Sequence, residues 1–543
     1  MGLNLATVFE AVARTVPDRP AISCGDVTLT YAELDRRANR LARHLMVNGI
    51  EPGQHVGVYL LNGVEYVEAM LGCFKARAVP ININYRYTEH ELLYLFGNAQ
   101  LHAVVAGAEY TPRVAAVADQ CDRLHHVLVV DDGSGVQPDR WPGGVTAAQY
   151  EEALAAHDGS MGPRDDLGPD DTFVIYTGGT TGMPKGVVWR HEDFHFAALL
   201  GGNPYGDPYR SVEEVVAALD GGIPLTYLIS MPLMHGAASY TLFMGLFGGA
   251  HLALLRTYDP VAVLREVERH KVQIIGLVGD AQARPLADAL REHKDEYDLS
   301  SLFIIGSGGA ILSASTQAAL LEQLPNVMIR NSFGASESGA DGVVTTGADG
   351  RMRLQPSPAV RVIDEDLRDV APGSGELGRL ARSGHVPLAY YNDPDKTRET
   401  FPVIDGVRWV VLGDLAEVEE DGSIVVHGRG SGCINSGGEK VFPEEVEQTL
   451  KSHPAVMDVL VAGVPDERFG QRVGAVVELR EDAEGVDVES LRTWCRGQLA
   501  GYKVPARVEI VDHVVRSPSG KADYRWAGRV LAPEPADTGT GKP

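Results

Sequence analysis

Apolar residues along this chain gather in short runs separated by amphipathic stretches. The run His55-Val56-Gly57-Val58-Tyr59-Leu60 leads into EYVEAMLGCFKARA (65–78), where apolar positions recur at helical spacing. The alternation continues through HAVVAG (102–107), HHVLVVDD (125–132), TFVIYTGG (172–179), VQIIGLVG (272–279) and LFIIGSGG (302–309). Strands that are apolar on both faces and interleaved with helices predict mostly parallel sheets flanked by helices, an α/β fold. Several runs end in glycine, and the carboxyl ends of strands are where such a sheet places its ligand loops.

Near residue 430 the texture changes. Gly428-Arg429-Gly430-Ser431-Gly432 is followed by a helical pattern in PEEVEQTLKSH (443–453), strand patterns at 458–466 and 472–479, a helix at 488–501 and a strand at 506–514. The division expected is a large N-terminal domain over 1–429 and a small α+β domain over 430–531. Residues 532–543 lack hydrophobic periodicity and are expected to form a disordered tail. Residues 231–255 are apolar enough to suggest a membrane span. His235, His251 and Gly248-Gly249 interrupt them, so a buried helix followed by a buried strand is expected.

Composition narrows the function classes. A chain of 543 residues exceeds what one core supports, and 44% hydrophobic with 22% charged residues is the balance of a globular protein. Lys and Arg number 48 against 74 Asp and Glu, a formal net charge of -26. Such a surface repels phosphate backbones and anionic lipid, so neither nucleic acid nor an integral membrane contact is expected. A polyanionic ligand would have to be met by cations and backbone N–H groups gathered locally. Cys24, Cys73, Cys121, Cys433 and Cys495 are scattered without metal-ligand spacing. With no signal-peptide pattern at the N-terminus, this implies a cytoplasmic protein.

The segment richest in chemistry is Tyr176-Thr177-Gly178-Gly179-Thr180-Thr181-Gly182-Met183-Pro184-Lys185-Gly186. Its glycines and threonines expose backbone N–H groups and hydroxyls, and a lysine closes it, a combination suited to wrapping a polyphosphate. A Walker loop is excluded, because that loop runs through Gly-Lys-Ser/Thr directly into a helix, whereas here a β-type run follows Lys185.

This loop resembles the phosphate loop of the adenylate-forming superfamily, which includes acyl-CoA synthetases, luciferases and peptide-synthetase adenylation domains. Gly178 stands where that family usually has serine. Further segments resemble the family's in the same order. Pro232-Leu233-Met234-His235 resembles the segment whose histidine lines the acyl pocket. Gly306-Ser307-Gly308-Gly309-Ala310 resembles the strip against which adenine packs. Asn331-Ser332-Phe333-Gly334-Ala335-Ser336-Glu337 resembles the aromatic-Gly-x-Thr-Glu motif, with Phe333 for tyrosine and Ser336 for threonine. Gly375-Glu376-Leu377 and Tyr390-Tyr391-Asn392-Asp393-Pro394 follow the family's spacing. Gly413-Asp414 resembles the ribose-binding pair, Gly428-Arg429 the nucleotide-facing arginine, and Ser519-Gly520-Lys521 the catalytic Ser-Gly-Lys. The strings VVWRHEDF, VGDAQARPL and GRGSGCINSGGEKVFPEEVE resemble actinobacterial fatty-acyl and steroid-acyl-CoA synthetases.

The resemblance implies an acid–thiol ligase that joins a carboxylate to coenzyme A through an acyl-adenylate, using ATP and Mg²⁺. The acid implied is long-chain or polycyclic; small residues at Gly236, Ala237, Ala238, Gly308 and Gly309 point the same way. It assigns catalysis to Lys521, His235 and Glu337. Nucleotide binding falls to Thr177, Gly178, Gly179, Thr180, Thr181, Gly182, Lys185, Gly308, Gly309, Ala310, Asn331, Ser332, Phe333, Gly334, Ala335, Ser336, Asp414 and Arg429. The acyl pocket takes His235, Gly236, Ala237, Gly308 and Gly334, and the metal takes Glu337 and Thr181. Ser436, Gly437, Gly438, Glu439 and Lys440 form the coenzyme A face, which a rotation of the small domain about Ser431 would exchange with Lys521. Two alternatives stay open: an enzyme that only thioesterifies a partner's acyl-adenylate, and a fatty-acyl-AMP ligase serving a carrier protein. A homodimer is also left open.

Overall fold

The computed structural model describes residues 2–532 apart from 163, 178–182, 205, 347–350, 356, 358, 430–431, 437–438, 467–468, 484 and 518–519, and excepting the side chains of Thr346 and Arg429. The expected tail beyond 532 therefore lies outside the described residues. Among those described, three sheets of fourteen, eight and five strands form the frame.

The first apolar runs build the eight-stranded sheet. His55–Tyr59 pairs in parallel with Val79–Asn82 and Leu101–Gly107, and Leu101–Gly107 with His126–Val130. The later runs give a second parallel block, in which His251–Leu254, Thr226–Ile229, Ile274–Leu277, Ile304–Gly308 and Met328–Ala335 lie side by side in that order. Beyond Ala335 the same sheet continues through antiparallel strands, beginning with Gly339–Thr346. Gly334 is required at this turn, since a Cβ there would lie 2.1 Å from the carbonyl oxygen of Gly339.

The helix Gly236–Phe247 followed by the strand His251–Leu254 is the arrangement expected for the apolar stretch at 231–255. The helix buries Leu242, Phe243 and Leu246. Phe243 joins Phe74, Phe173 and Phe194 in an aromatic cluster; Phe173 and Phe194 meet edge-on at 5.0 Å. Burial of these rings anchors the helix to the strand Thr172–Thr177 of the eight-stranded sheet and to the helices Val64–Ala76 and His191–Ala197. No helix among the described residues is long and apolar enough to cross a membrane.

The five-stranded sheet takes its strands from residues 434–511 and is backed by the helices Pro443–Lys451 and Val488–Arg496. The loop bearing Gly520 rests on the helix Gly279–His293, where a Cβ on Gly520 would come within 2.9 Å of Ala281 Cβ and 3.0 Å of Val278 Cγ1.

Candidate active site

The candidate residues lie mainly on segments that leave the carboxyl ends of neighbouring parallel strands, where no further backbone pairing consumes their N–H groups. Thr172–Thr177 and Lys185–Arg190 form an antiparallel hairpin with Thr177 opposite Lys185. The loop between them would therefore begin and end at one place. Its central residues Gly178, Gly179, Thr180, Thr181 and Gly182 lie outside the described residues.

Two asparagines of the N-terminal sheet tie this hairpin to the histidine segment. Asn82 donates from Nδ2 to the carbonyls of Tyr176 (2.9 Å) and Met234 (2.7 Å), and its Oδ1 accepts from Tyr176 N at 2.7 Å. Asn62 donates to the Met231 carbonyl at 2.9 Å and accepts from Leu233 N at 2.7 Å. His235 thus stands at the N-cap of Gly236–Phe247, its ring turned inward. Its Nε2 is buried and has no hydrogen-bond partner among the described residues. Burial, reinforced by the charges of Lys521 and Arg86, pushes the imidazole down to about 3, so it is neutral near pH 7.

Gly308 ends the strand Ile304–Gly308 and Gly309 follows it, opposite the start of the helix Gly236–Phe247, where the acyl slot is expected. A Cβ on Gly309 would lie 3.6 Å from Ala237 Cβ, and one on Gly308 would lie 3.8 Å from the Ser332 carbonyl. A Cβ on Gly236 would sit 3.3 Å from the Tyr240 hydroxyl and 3.5 Å from Ser336 Oγ. Of the acyl-pocket candidates His235, Gly236, Ala237, Gly308 and Gly334, the first three are consecutive at the start of the helix, Gly308 adjoins Gly309, which faces Ala237, and Gly334 packs against Gly339. Ala310 follows on the same segment, with Gly279 against it.

The segment from Asn331 to Glu337 is held from behind. Trp189 Nε1 donates to the Ser336 carbonyl at 3.0 Å; Ser338 Oγ accepts from Ala335 N at 3.2 Å and donates to Asp341, itself paired with Arg382 at 3.0 Å. Phe333 packs on the main core. Glu337 Oε1 accepts from the Tyr390 hydroxyl at 2.8 Å. Lys185 Nζ lies 5.6 Å over the Tyr390 ring and pairs with Asp393, whose carboxyl it holds below the usual range. Lys185, Tyr390, Asp393 and Glu337 thus form one cluster beside the phosphate hairpin. Asp414 and Arg429 are cross-strand partners in the ladder of Val407–Val418 with Ile424–Arg429. The Arg429 side chain lies outside the described atoms.

Lys521 arrives from the small sheet. Its backbone N–H donates to Ser517 Oγ at 3.1 Å, and Gly520 seats its loop against Val278 and Ala281. The charge of its ammonium reaches His235, where, after burial, it helps to lower the imidazole. Ser436 pairs with Glu439, and Asn435 with Lys440, in a hairpin of the same sheet. Among the described residues no hydrogen bond or ion pair joins Glu439 or Lys440 to the Lys521 cluster. Gly437, Gly438 and Ser431 lie outside the described residues.

Sequence reasoning assigned no role to Asn82, Arg86, Tyr240 or Asp393. Asn82 and Arg86 lie in AVPININYRYTEHEL and Asp393 in the Tyr-Tyr-Asn-Asp-Pro segment, so the family pattern reached them. Tyr240 carries only a helical spacing of four from Gly236.

The AMP-binding enzyme family profile matches residues 9–391, and the AMP-binding enzyme C-terminal domain profile matches 445–521. The chain is 44% identical to a medium/long-chain-fatty-acid–CoA/3-oxocholest-4-en-26-oate–CoA ligase of Mycobacterium tuberculosis, covering 99% of this chain and 98% of the relative. A 3-oxocholest-4-en-26-oate–CoA ligase of Rhodococcus rhodochrous is also 44% identical, covering 99% and 97%. ATP-bound MatB from Rhodopseudomonas palustris superposes with a TM-score of 0.78 at 26% identity, covering 98% and 99%. The anthranilate CoA ligase AuaEII in complex with anthranoyl-AMP shares the fold, with a TM-score of 0.83 at 22% identity over 98% of each chain. With a family match across most of its length and this identity to curated relatives from end to end, the chain belongs to the AMP-binding enzyme family.

Proposed function

We propose that the chain is an AMP-forming acyl-CoA synthetase acting on medium- or long-chain fatty acids or on steroid side-chain carboxylates. What supports this reading is the identity to curated ligases along the whole chain, together with the seating of the Lys521-bearing loop on the large unit through Gly520 against Val278 and Ala281. A cation on that loop would stand where a carboxylate leaving the slot meets the nucleotide. In the first half-reaction a carboxylate oxygen attacks the α-phosphorus of ATP. The bond to the β-phosphate oxygen breaks and pyrophosphate leaves. Lys521 would bridge the carboxylate and the α-phosphate, stabilising the charge that builds on the phosphoryl oxygens. His235, being neutral, shapes the slot and adds no second cation beside Lys521. In the second half-reaction the thiol of coenzyme A, losing its proton, attacks the acyl carbon; the bond to the AMP oxygen breaks and AMP departs.

The resemblance also implies Mg²⁺. Among the described residues no group of three His, Cys, Asp or Glu side chains could hold a metal alone. That suits Mg²⁺, which is held through one or two carboxylates together with substrate phosphates. Glu337, oriented by the Tyr390 hydroxyl, fits this task, with Thr181 as its proposed companion. The bound ion would neutralise charge on the departing pyrophosphate. Asp414 would accept from the ribose hydroxyls, and Lys185 with the loop amides would hold the outer phosphates.

The division at 429 and 430, the hinge at Ser431, the coenzyme A face at 436–440 and a cytoplasmic setting belong to the same proposal. The thioesterification-only reading is disfavoured because the chain keeps Lys521, the lysine that the resemblance assigns to adenylation. The deciding experiment has two arms: acid-dependent exchange of labelled pyrophosphate into ATP, and thioester formation from a synthetic acyl-adenylate with coenzyme A. Activity in both arms is expected. Exchange without thioester formation would point to a carrier-protein acceptor, and the reverse to a partner that adenylates.

A further inference from the structure

Resting on the two-step reading above, we propose that Asp280 and Lys451 form an inter-domain latch that positions Lys521 for adenylation. Lys451 closes the helix Pro443–Lys451 of the small unit, and Asp280 opens the helix Gly279–His293 of the large one. Their charged groups are 2.9 Å apart with side chains only 6% and 4% exposed. The carboxylate is prepared for this partner: Asp280 Oδ1 accepts from Ser313 N at 2.8 Å and Ser313 Oγ at 3.0 Å, while Oδ2 faces the ammonium. Gly279 makes the turn possible. Its φ is +45°, and a Cβ there would strike the Ile311 carbonyl oxygen at 2.4 Å.

From Lys451 the network runs directly to the catalytic loop. Lys451 Nζ lies 3.5 Å from Asp458, and Asp458 takes a two-pronged contact from Arg516 Nε and Nη2. Arg516 Nη1 in turn donates to the carbonyl of Gly520 at 3.1 Å, the peptide that precedes Lys521. Arg284, one helical turn after Asp280, adds a second fastening by donating to the backbone carbonyls of Val456 and Lys451. The same turn of helix that anchors Lys451 also receives Gly520 against Val278 and Ala281. Asp280 and Lys451 touch no reacting atom in this arrangement. They are positioning residues.

The physical consequence is directional. In the docked arrangement both charges are buried, so removing one leaves the other buried with only its weaker contacts, Asp458 at 3.5 Å for Lys451 and Ser313 for Asp280. Once the small unit swings away, both groups are hydrated and the loss is not felt. A substitution at either position therefore shifts the population between orientations, which is the currency of coupling between the two half-reactions.

The test uses the full-length enzyme and the variants Asp280→Asn, Lys451→Met, their combination, and Lys451→Arg. In each single variant, acid-dependent pyrophosphate exchange is expected to fall about tenfold or more. Thioester formation from a supplied acyl-adenylate should stay within about twofold of the parent. The double variant should lose no more exchange than the worse single one, because it strands no charge, and Lys451→Arg should retain most of it. A readout free of activity accompanies these: the distance distribution between spin labels at exposed positions 47 and 502, on the large and small units. The parent should show a dominant docked distance that weakens in the single variants. Equal loss of both half-reactions, or an unchanged distance distribution, would overturn the latch. A parent that forms thioester but gives no exchange would instead sink the two-step reading, while the label distances would still decide whether Asp280 and Lys451 hold the units together.

Discussion

Single side chains in this protein do opposite things depending on what surrounds them. Lys521 lies on a loop seated by Gly520, its charge helps to keep the His235 imidazole neutral, and the proposal gives it the carboxylate and α-phosphate to bridge. Lys521→Ala should lower pyrophosphate exchange by about 100-fold or more, the usual loss when a preorganised electrostatic donor is removed. Thioester formation from supplied adenylate should change little; parallel loss in both assays would remove the lysine from the first step. Glu337 makes a different case. Glu337→Gln keeps an acceptor for Tyr390 but halves the appeal to a hard cation, so the magnesium concentration for half-maximal exchange should rise. A titration that superposes on the parent's would take Glu337 out of the metal site. Glu444 is a third. Its Oε2 is buried without a hydrogen-bond partner among the described residues, and Gly428 lies so close that a Cβ would meet the carboxylate at 2.4 Å. Burial, then the charges of Glu447 and Asp414, raises its carboxyl from 4.5 to about 8. A raised carboxyl binds its proton in the folded state while the unfolded chain has released it, so this group loses stability as pH climbs from 4.5 to 8. Glu444→Gln should therefore melt near the parent at pH 5 and above it at pH 9. An equal offset at both pH values would show that Glu444 does not titrate across that window.

At the scale of elements, the helix Gly236–Phe247 and the strand Ile304–Gly308 set the width of the slot, because Ala237 and Gly309 face each other across it. Lengthening the acid should raise kcat/KM roughly fourfold per methylene, about 0.8 kcal/mol each, until the slot is filled. A series from butyrate to palmitate with one steroid acid measures this, and a maximum at two or three carbons would overturn the proposed substrate class. Ala237→Phe should then cut kcat/KM for the bulky acids by about tenfold or more while leaving short acids less affected. The turn before the helix was partly legible: Pro232-Leu233-Met234-His235 was recognisable as a segment, and the break between helix and strand followed from Gly248-Gly249. That Asn62 and Asn82 clamp the turn was not, since a lone asparagine in a strand or loop carries no periodic signal and its partners are distant in the chain.

For the whole molecule, the proposed rotation would let the orientation of the small unit decide which half-reaction is possible. Asp288 and Arg480 pair across the boundary at 2.9 Å, with each side chain 24% exposed. Joining cysteines placed at these two positions with a short cleavable linker should arrest multiple-turnover thioester synthesis while single-turnover adenylation persists, and cleavage should restore turnover. Continued synthesis in the linked protein would argue against the proposed rotation. What the sequence determined by itself was local. Apolar runs specified strands and their α/β class, glycines and threonines suggested a phosphate loop, and the resemblance of short motifs implied the chemistry, because each is encoded within a few positions of the chain. The tertiary structure alone decided which of these loops share a mouth and which charges meet. The order of the parallel strands departs from chain order at His251–Leu254, the antiparallel block after Ala335 replaces a parallel continuation, and Asp280 finds Lys451 only when two separately folded units touch. Such pairings have no spacing to read, since they are fixed by burial and packing between surfaces that the sequence lists far apart.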